Sequence, residues 1–177
     1  MRKRDGILFR IIWTGKRRNR MSKSTRATKA LEQAKVAFTV VTYEYNPDAD
    51  KVGMQAAEAL GESPERVLKT LMALVDGKPV CAIVPSDKEV SMKKLAAAFG
   101  GKAAQMMKPG DAERISGYKV GGISAFGQMK PPRVAIEAAA MEHDLVYMNG
   151  GQRGLQVRLK PGDAAAALQA IVAPLVA

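Results

Sequence analysis

From Ser24 onward the apolar positions switch repeatedly between the three-to-four-residue period of a helix and the two-residue period of a strand. Ala27, Ala30, Leu31 and Ala34 share one helical face behind a hydroxyl-rich start, so the spacing predicts a helix over residues 25–35. Residues 36–45 change to β-branched and aromatic side chains and close on Asn46-Pro47-Asp48, a strand followed by its turn. Met54, Ala57 and Leu60 restore helical spacing over residues 54–60, and Gly61 stops it. Ser63-Pro64-Glu65 carries the signature of a brief helix start. Residues 67–75 and 80–84 flank Asp76-Gly77-Lys78-Pro79 and predict a hairpin.

Further along, Met92, Leu95, Ala96 and Phe99 predict a helix over residues 91–99, and a second helix over residues 109–116 ends at Gly117. The stretch from Gly121 to Gly127 is glycine-rich and is expected to pack a core poorly. Residues 133–136, 145–148 and 155–159 read as short strands. The last two are joined through Asn149-Gly150-Gly151-Gln152-Arg153-Gly154, where Asn-Gly favours a tight turn. A last helix is expected over residues 163–172. Helices and strands alternate without strict βαβ repeats, which places the chain in the α+β class as one mixed α/β domain.

Composition narrows the class of function. The 177 residues suffice for one domain with its own core, and 47% apolar with 25% charged residues excludes a disordered or low-complexity chain. No apolar run approaches the roughly 18 residues of a membrane span. Cys81 and His143 stand alone of their kinds, which excludes an internal disulfide and any Cys/His metal centre. The formal charge of +11 is concentrated at the start, where residues 1–20 hold eight basic side chains against Asp5 alone. Residues 7–13 are too short and too interrupted by Arg10 for a signal core, so a cytoplasmic protein is expected. Met21-Ser22-Lys23-Ser24 resembles a natural start, making residues 1–20 a disordered extension or a start-site artefact and residues 21–177 the domain.

Lys69 is the most informative residue, because Val67-Leu68-Lys69-Thr70-Leu71-Met72-Ala73 otherwise reads as a buried strand. An ammonium in such a run either snorkels to water or meets an anionic ligand or developing oxyanion. Gly121, Gly122 and Gly127 free the backbone to aim N–H groups at an oxygen, or serve an ordinary turn. The spacing is neither GxGxxG nor GxxxxGK[ST]. Cys81 reads as a small core residue rather than a nucleophile, His143 as an exposed helix-end residue, and Met106-Met107 as packing. Arg153, in a glycine-flanked turn, is a candidate for an RNA phosphate or a solvated side chain.

Three motifs occur in a fixed order: Val67-Leu68-Lys69-Thr70-Leu71, then Gly117-Tyr118-Lys119-Val120-Gly121-Gly122-Ile123-Ser124 with Phe126-Gly127-Gln128, then Asn149-Gly150-Gly151-Gln152-Arg153-Gly154-Leu155. In this order the chain resembles the YbaK/EbsC-type aminoacyl-tRNA deacylases, relatives of the editing domain inserted in bacterial prolyl-tRNA synthetase, from Ser22 to its end. The resemblance implies a central, largely antiparallel, barrel-like sheet flanked by helices, and hydrolysis of mischarged tRNA in trans, most typically cysteinyl-tRNA(Pro). Lys69 then matches the essential lysine, Gly121 and Gly122 the catalytic loop, and Thr70 and Tyr43 the pocket wall. Val52, Ile123, Ser124, Asn149, Gly150 and Arg153 are implied substrate contacts.

Further implications are the absence of metal and organic cofactor, and as partners the acceptor 3′ end of aminoacylated tRNA and prolyl-tRNA synthetase. The mechanism implied for cysteine-specific members is attack of the substrate thiol on its own ester. Ala125 stands where the pattern usually has proline, Val52 where phenylalanine is common, and Asn149 where serine is common. Pocket shape sets amino-acid choice, so alanine is the alternative substrate and a non-catalytic tRNA- or synthetase-binding module the alternative function.

Overall fold

The computed structural model describes residues 10–11 and 24–177. Its strands are β1 (Arg10–Ile11), β2 (Thr39–Thr42), β3 (Leu68–Val75), β4 (Lys78–Pro85), β5 (Ala104–Met106), β6 (Arg133–Glu137), β7 (Val146–Gln152), β8 (Leu155–Leu159) and β9 (Ile171–Ala173). Its helices are α1 (Arg26–Gln33), α2 (Val52–Leu60), α3 (Met92–Ala98), α4 (Pro109–Ser116) and α5 (Pro161–Leu168). Apart from β1, the expected basic extension over residues 1–20 lies outside the described residues.

Two sheets form, in the orders β1-β2-β8-β7 and β5-β3-β4-β6-β9. The first is antiparallel throughout; the second is antiparallel around β3 and parallel from β4 through β6 to β9. Strand alternation distributes the core into layers. Leu68 and Met72 of β3 face Met148, Leu155, Val157 and Leu159 of the other sheet. Ala73 and Val75 point the opposite way, against Leu95 and Ala96 of α3. Helix α2 covers the far face of the first sheet, packing Ala56, Ala57 and Leu60 on Val41 and Tyr147. The result is a mixed α/β domain, as the pattern predicts, but the two sheets touch through a parallel bridge between Val67 and Tyr147 and do not close into a barrel. No helix among the described residues is long and apolar enough to cross a membrane.

Several expected boundaries move. The strand foreseen over residues 36–45 is only Thr39–Thr42, the length over which β8 can pair with it. The last helix stops at Leu168, because Gln169 takes a left-handed φ of 49° and the β-branched Ile171 and Val172 join β6 as a parallel strand. Asn149-Gly150 is not the tight turn. Strand β7 runs on through a bulge to Gln152, and the chain reverses at Arg153-Gly154.

The glycine-rich stretch also packs better than foreseen. Tyr118, Ser124, Ala125, Phe126 and Gln128 are all buried. The Tyr118 hydroxyl donates to the Phe126 carbonyl at 2.6 Å and Gln128 Nε2 to the Ser124 carbonyl at 2.9 Å. Gly127, at φ 67°, lies so close to α1 that a Cβ there would sit 2.5 Å from the Arg26 carbonyl oxygen.

Candidate active site

An open edge of β3 creates the site. Strand β5 pairs with β3 only from Ala73 to Val75, leaving the first half of β3 bounded by β4 alone. The Ser86 N–H bonds the Val67 carbonyl on the β4 side, and the Met107 N–H bonds the Met72 carbonyl on the other. Backbone groups alternate between the two edges, so those of Thr70 face the unpaired side. A cleft of about 400 Å³ lies there, reached by Lys69 from one face of the strand and Thr70 from the other.

Helix α2 supplies one wall through Val52 and Gly53. Gly53 permits the approach, since a Cβ on it would lie 3.0 Å from Ser86 Oγ and 3.7 Å from Lys69 Cβ. Ser86 is itself committed, its hydroxyl donating to the Val67 carbonyl. The Lys69 side chain is 22% exposed, and its Nζ lies 4.0 Å from Glu89 Oε1 on a side chain that is 81% exposed. An ion pair this long and this solvated is weak, which leaves the ammonium ready to exchange Glu89 for an incoming anion.

The opposite wall comes from the glycine loop and the first sheet. Gly121, Ile123, Asn149 and Gln156 line it. Asn149 and Gln156 are register partners on β7 and β8, so their side chains share one face. Both ends of the Asn149 amide are engaged: Nδ2 donates to the Gly121 carbonyl at 3.1 Å, and Oδ1 accepts the Gly151 N–H at 2.7 Å. Gln156 is 4% exposed, yet its Oε1 has no partner among the described residues, nor has the buried Thr70 hydroxyl. Such atoms cost about 1–3 kcal/mol each unless water or a ligand meets them. Tyr43 stands on the same sheet face as Gln156, its phenol pushed above its ordinary value of 10 by burial, and it is not among the residues lining the cleft, where the resemblance places it.

The residues singled out from the sequence therefore divide. Lys69, Thr70, Val52, Gly121, Ile123 and Asn149 meet at the cleft. Ser124 is fully buried, with its hydroxyl accepting the Phe126 N–H at 3.2 Å. Gly150 lies under the cleft wall, its carbonyl accepting the Thr25 hydroxyl at 2.6 Å. The Gly122 N–H is engaged by the Lys119 carbonyl at 2.8 Å, and Arg153 Nε by the Val120 carbonyl at 2.9 Å. Cys81 is wholly buried and desolvation pushes its thiol up to about 12, so it offers no thiolate. Among the described residues no group of three or more acidic, histidine or cysteine side chains is placed to hold a metal. Gln156 and Glu89 were not foreseen. Gln156 occupies a polar position in an alternating strand, which reads as a solvated face until α2 is seen to cover it.

A family model described as an aminoacyl-tRNA editing domain matches residues 46–167. EbsC of Enterococcus faecalis, named as a candidate Cys-tRNA(Pro)/Cys-tRNA(Cys) deacylase, is 32% identical over 146 residues, spanning 81% of this chain and 88% of EbsC. The proline–tRNA ligase of Anaeromyxobacter sp. (strain K) is 28% identical over 111 residues, 60% of this chain but 19% of the ligase. A crystal structure described as a candidate trans-editing enzyme for prolyl-tRNA synthetase superposes with a TM-score of 0.73 over 86% of this chain and 95% of the other, at 20% identity, and so shares the fold.

Proposed function

The chain belongs to the aminoacyl-tRNA editing domain family, and on that premise we propose that it is a free-standing deacylase acting in trans on mischarged tRNA, with cysteinyl-tRNA(Pro) as its substrate. The observation that carries this reading is the pairing of Lys69 with the Gly121 loop across one cleft. About 400 Å³ lies within the range of small-molecule sites, enough for a small aminoacyl group and part of its ribose.

The residues present support binding and charge stabilisation rather than protein nucleophilic attack. Neither a cysteine nor a histidine lines the cleft, and Ser86 is held by a backbone carbonyl. The nucleophile proposed is the substrate's own thiol, the step that the family resemblance implies for cysteine-specific members and with which this lining is compatible. Its sulfur adds to the ester carbonyl carbon, the bond from that carbon to the ribose oxygen breaks, and the proton leaving sulfur ends on the ribose hydroxyl. A thiolactone and free tRNA result. Lys69 holds the terminal phosphate or polarises the ester, while a loop amide stabilises the oxyanion. Thr70, Val52 and Ile123 shape the space for the side chain, and prolyl-tRNA synthetase supplies the substrate in the cytoplasm.

The test is release of amino acid from cysteinyl-tRNA(Pro), with alanyl-tRNA(Pro) in parallel, by wild type and Lys69→Ala. Release by wild type and a fall of about 100-fold or more in the folded variant are expected. Alanine released in place of cysteine keeps the site and removes the thiol-assisted step. If neither is released, the deacylase reading is wrong.

A further inference from the structure

Three successive peptides of the glycine loop are held so completely that one N–H remains. The Gly122 N–H donates to the Lys119 carbonyl at 2.8 Å, closing a four-residue turn in which Gly121 has a φ of 88°, the geometry of a type II turn. The Val120 N–H donates to Glu113 Oε1 at 3.0 Å. The Val120 carbonyl accepts Arg153 Nε at 2.9 Å, and the Gly121 carbonyl accepts Asn149 Nδ2 at 3.1 Å. From the Lys119 carbonyl to the Gly122 N–H, the Gly121 N–H is the group without a partner among the described residues.

Its direction follows from peptide geometry. A trans peptide points N–H and C=O in opposite senses, so a guanidinium on the Val120 carbonyl turns the Gly121 N–H away from itself. Arg153 is exposed and is not part of the cleft wall, whereas Gly121 is. The guanidinium is kept in place by the Tyr45 ring, 5.5 Å away. We propose that Arg153 is a positioning residue which, with Glu113 and Asn149, prevents the Val120–Gly121 peptide from flipping and so presents the Gly121 N–H to the ester carbonyl oxygen. Gly122 is thereby removed from the oxyanion site, and Arg153 from the contacts with RNA. The inference rests on the deacylase reading for its chemistry and on the hydrogen bonds alone for its geometry.

Steady-state release from cysteinyl-tRNA(Pro) by wild type, Arg153→Ala and Arg153→Lys tests it. Both variants are expected to lose about 10- to 100-fold in kcat with KM within about twofold, because lysine keeps the charge but has no planar fork to span Tyr45 and the Val120 carbonyl. A rise in KM that Arg153→Lys restores would make Arg153 a phosphate contact and overturn the proposal. A second arm does not depend on hydrolysis: 15N-labelled protein is titrated with 3′-deoxy-3′-cysteinylamido-adenosine. The Gly121 amide resonance is expected to shift in wild type and to stay still in Arg153→Ala. An unmoved Gly121 resonance in wild type overturns the proposal, whereas a shift without amino-acid release defeats only the deacylase reading. Should Arg153→Ala fail to fold by circular dichroism, Glu113→Ala loosens the same turn and takes its place in both arms.

Discussion

Residues 119–122 and 124–128 are neighbours in one glycine-rich segment, and the structure uses them in opposite ways. The first group reaches the cleft through Val120 and Gly121, with its peptides held by Glu113, Arg153 and Asn149. The second is buried under α1 and closed by its own contacts, Tyr118 to Phe126 and Gln128 to Ser124. Glycine serves different ends in each. At Gly121 it permits a positive φ that orients a peptide; at Gly127 it also removes a Cβ where a helix backbone passes. Composition cannot separate the two, but substitution can, because one half governs chemistry and the other stability.

The largest effect belongs to the buried half. Gly127→Ala adds a left-handed alanine whose Cβ would lie 2.5 Å from the Arg26 carbonyl oxygen and 2.8 Å from its carbon. Backbone cannot yield as a flexible side chain does, so a loss of about 3 kcal/mol or more in unfolding free energy is expected from urea denaturation. A loss under about 1 kcal/mol would erase the distinction between the halves.

Tyr118→Phe comes next, leaving the buried Phe126 carbonyl without its donor at a cost of about 1–3 kcal/mol. Burial pushes the Tyr118 phenol from 10 up to about 12. A raised folded value means that the contribution is complete below pH 10 and is lost as pH rises through about 12. The stability difference between wild type and Tyr118→Phe should therefore be constant from pH 7 to 9 and shrink above pH 10, as read by denaturation at each pH.

The smallest change in stability is expected at the open half. Gly121→Ala places a left-handed alanine against the Tyr45 hydroxyl, 3.0 Å away, and Arg153 Nε, 3.3 Å away. Both are ends of side chains that can move, so about 1–2 kcal/mol is expected. Amino-acid release should nevertheless fall at least tenfold, since the turn that aims the amide is disturbed. Equal activity in Gly121→Ala and wild type would show that the loop amide takes no part.

Some of the site was legible without coordinates. An ammonium in an apolar strand stands out because burying it is costly, and Lys69 does line the cleft. The glycine loop stood out as well, but not the division within it. Asn149 lines the cleft, and the structure adds that its amide bridges Gly121 and Gly151. Nothing in the sequence marks Glu113. Its bond to the Val120 N–H, which holds its carboxyl below the usual value, joins a helix to a loop beyond its end. Gln156 had no signal, because an alternating polar position reads the same whether water or a helix lies over it.

Caps, glycine stops and the two hydrophobic periods were sufficient for most elements of this mixed domain, since each records a local backbone preference or the side of the chain that faces the core. Tertiary structure alone decided that β5 is too short to cover the first half of β3, that α2 covers the sheet face on which Gln156 stands, and which loop amide is left unpaired. Those outcomes depend on hydrogen bonds between segments tens of residues apart, whose donors and acceptors every residue carries, so they leave no periodic mark in the chain.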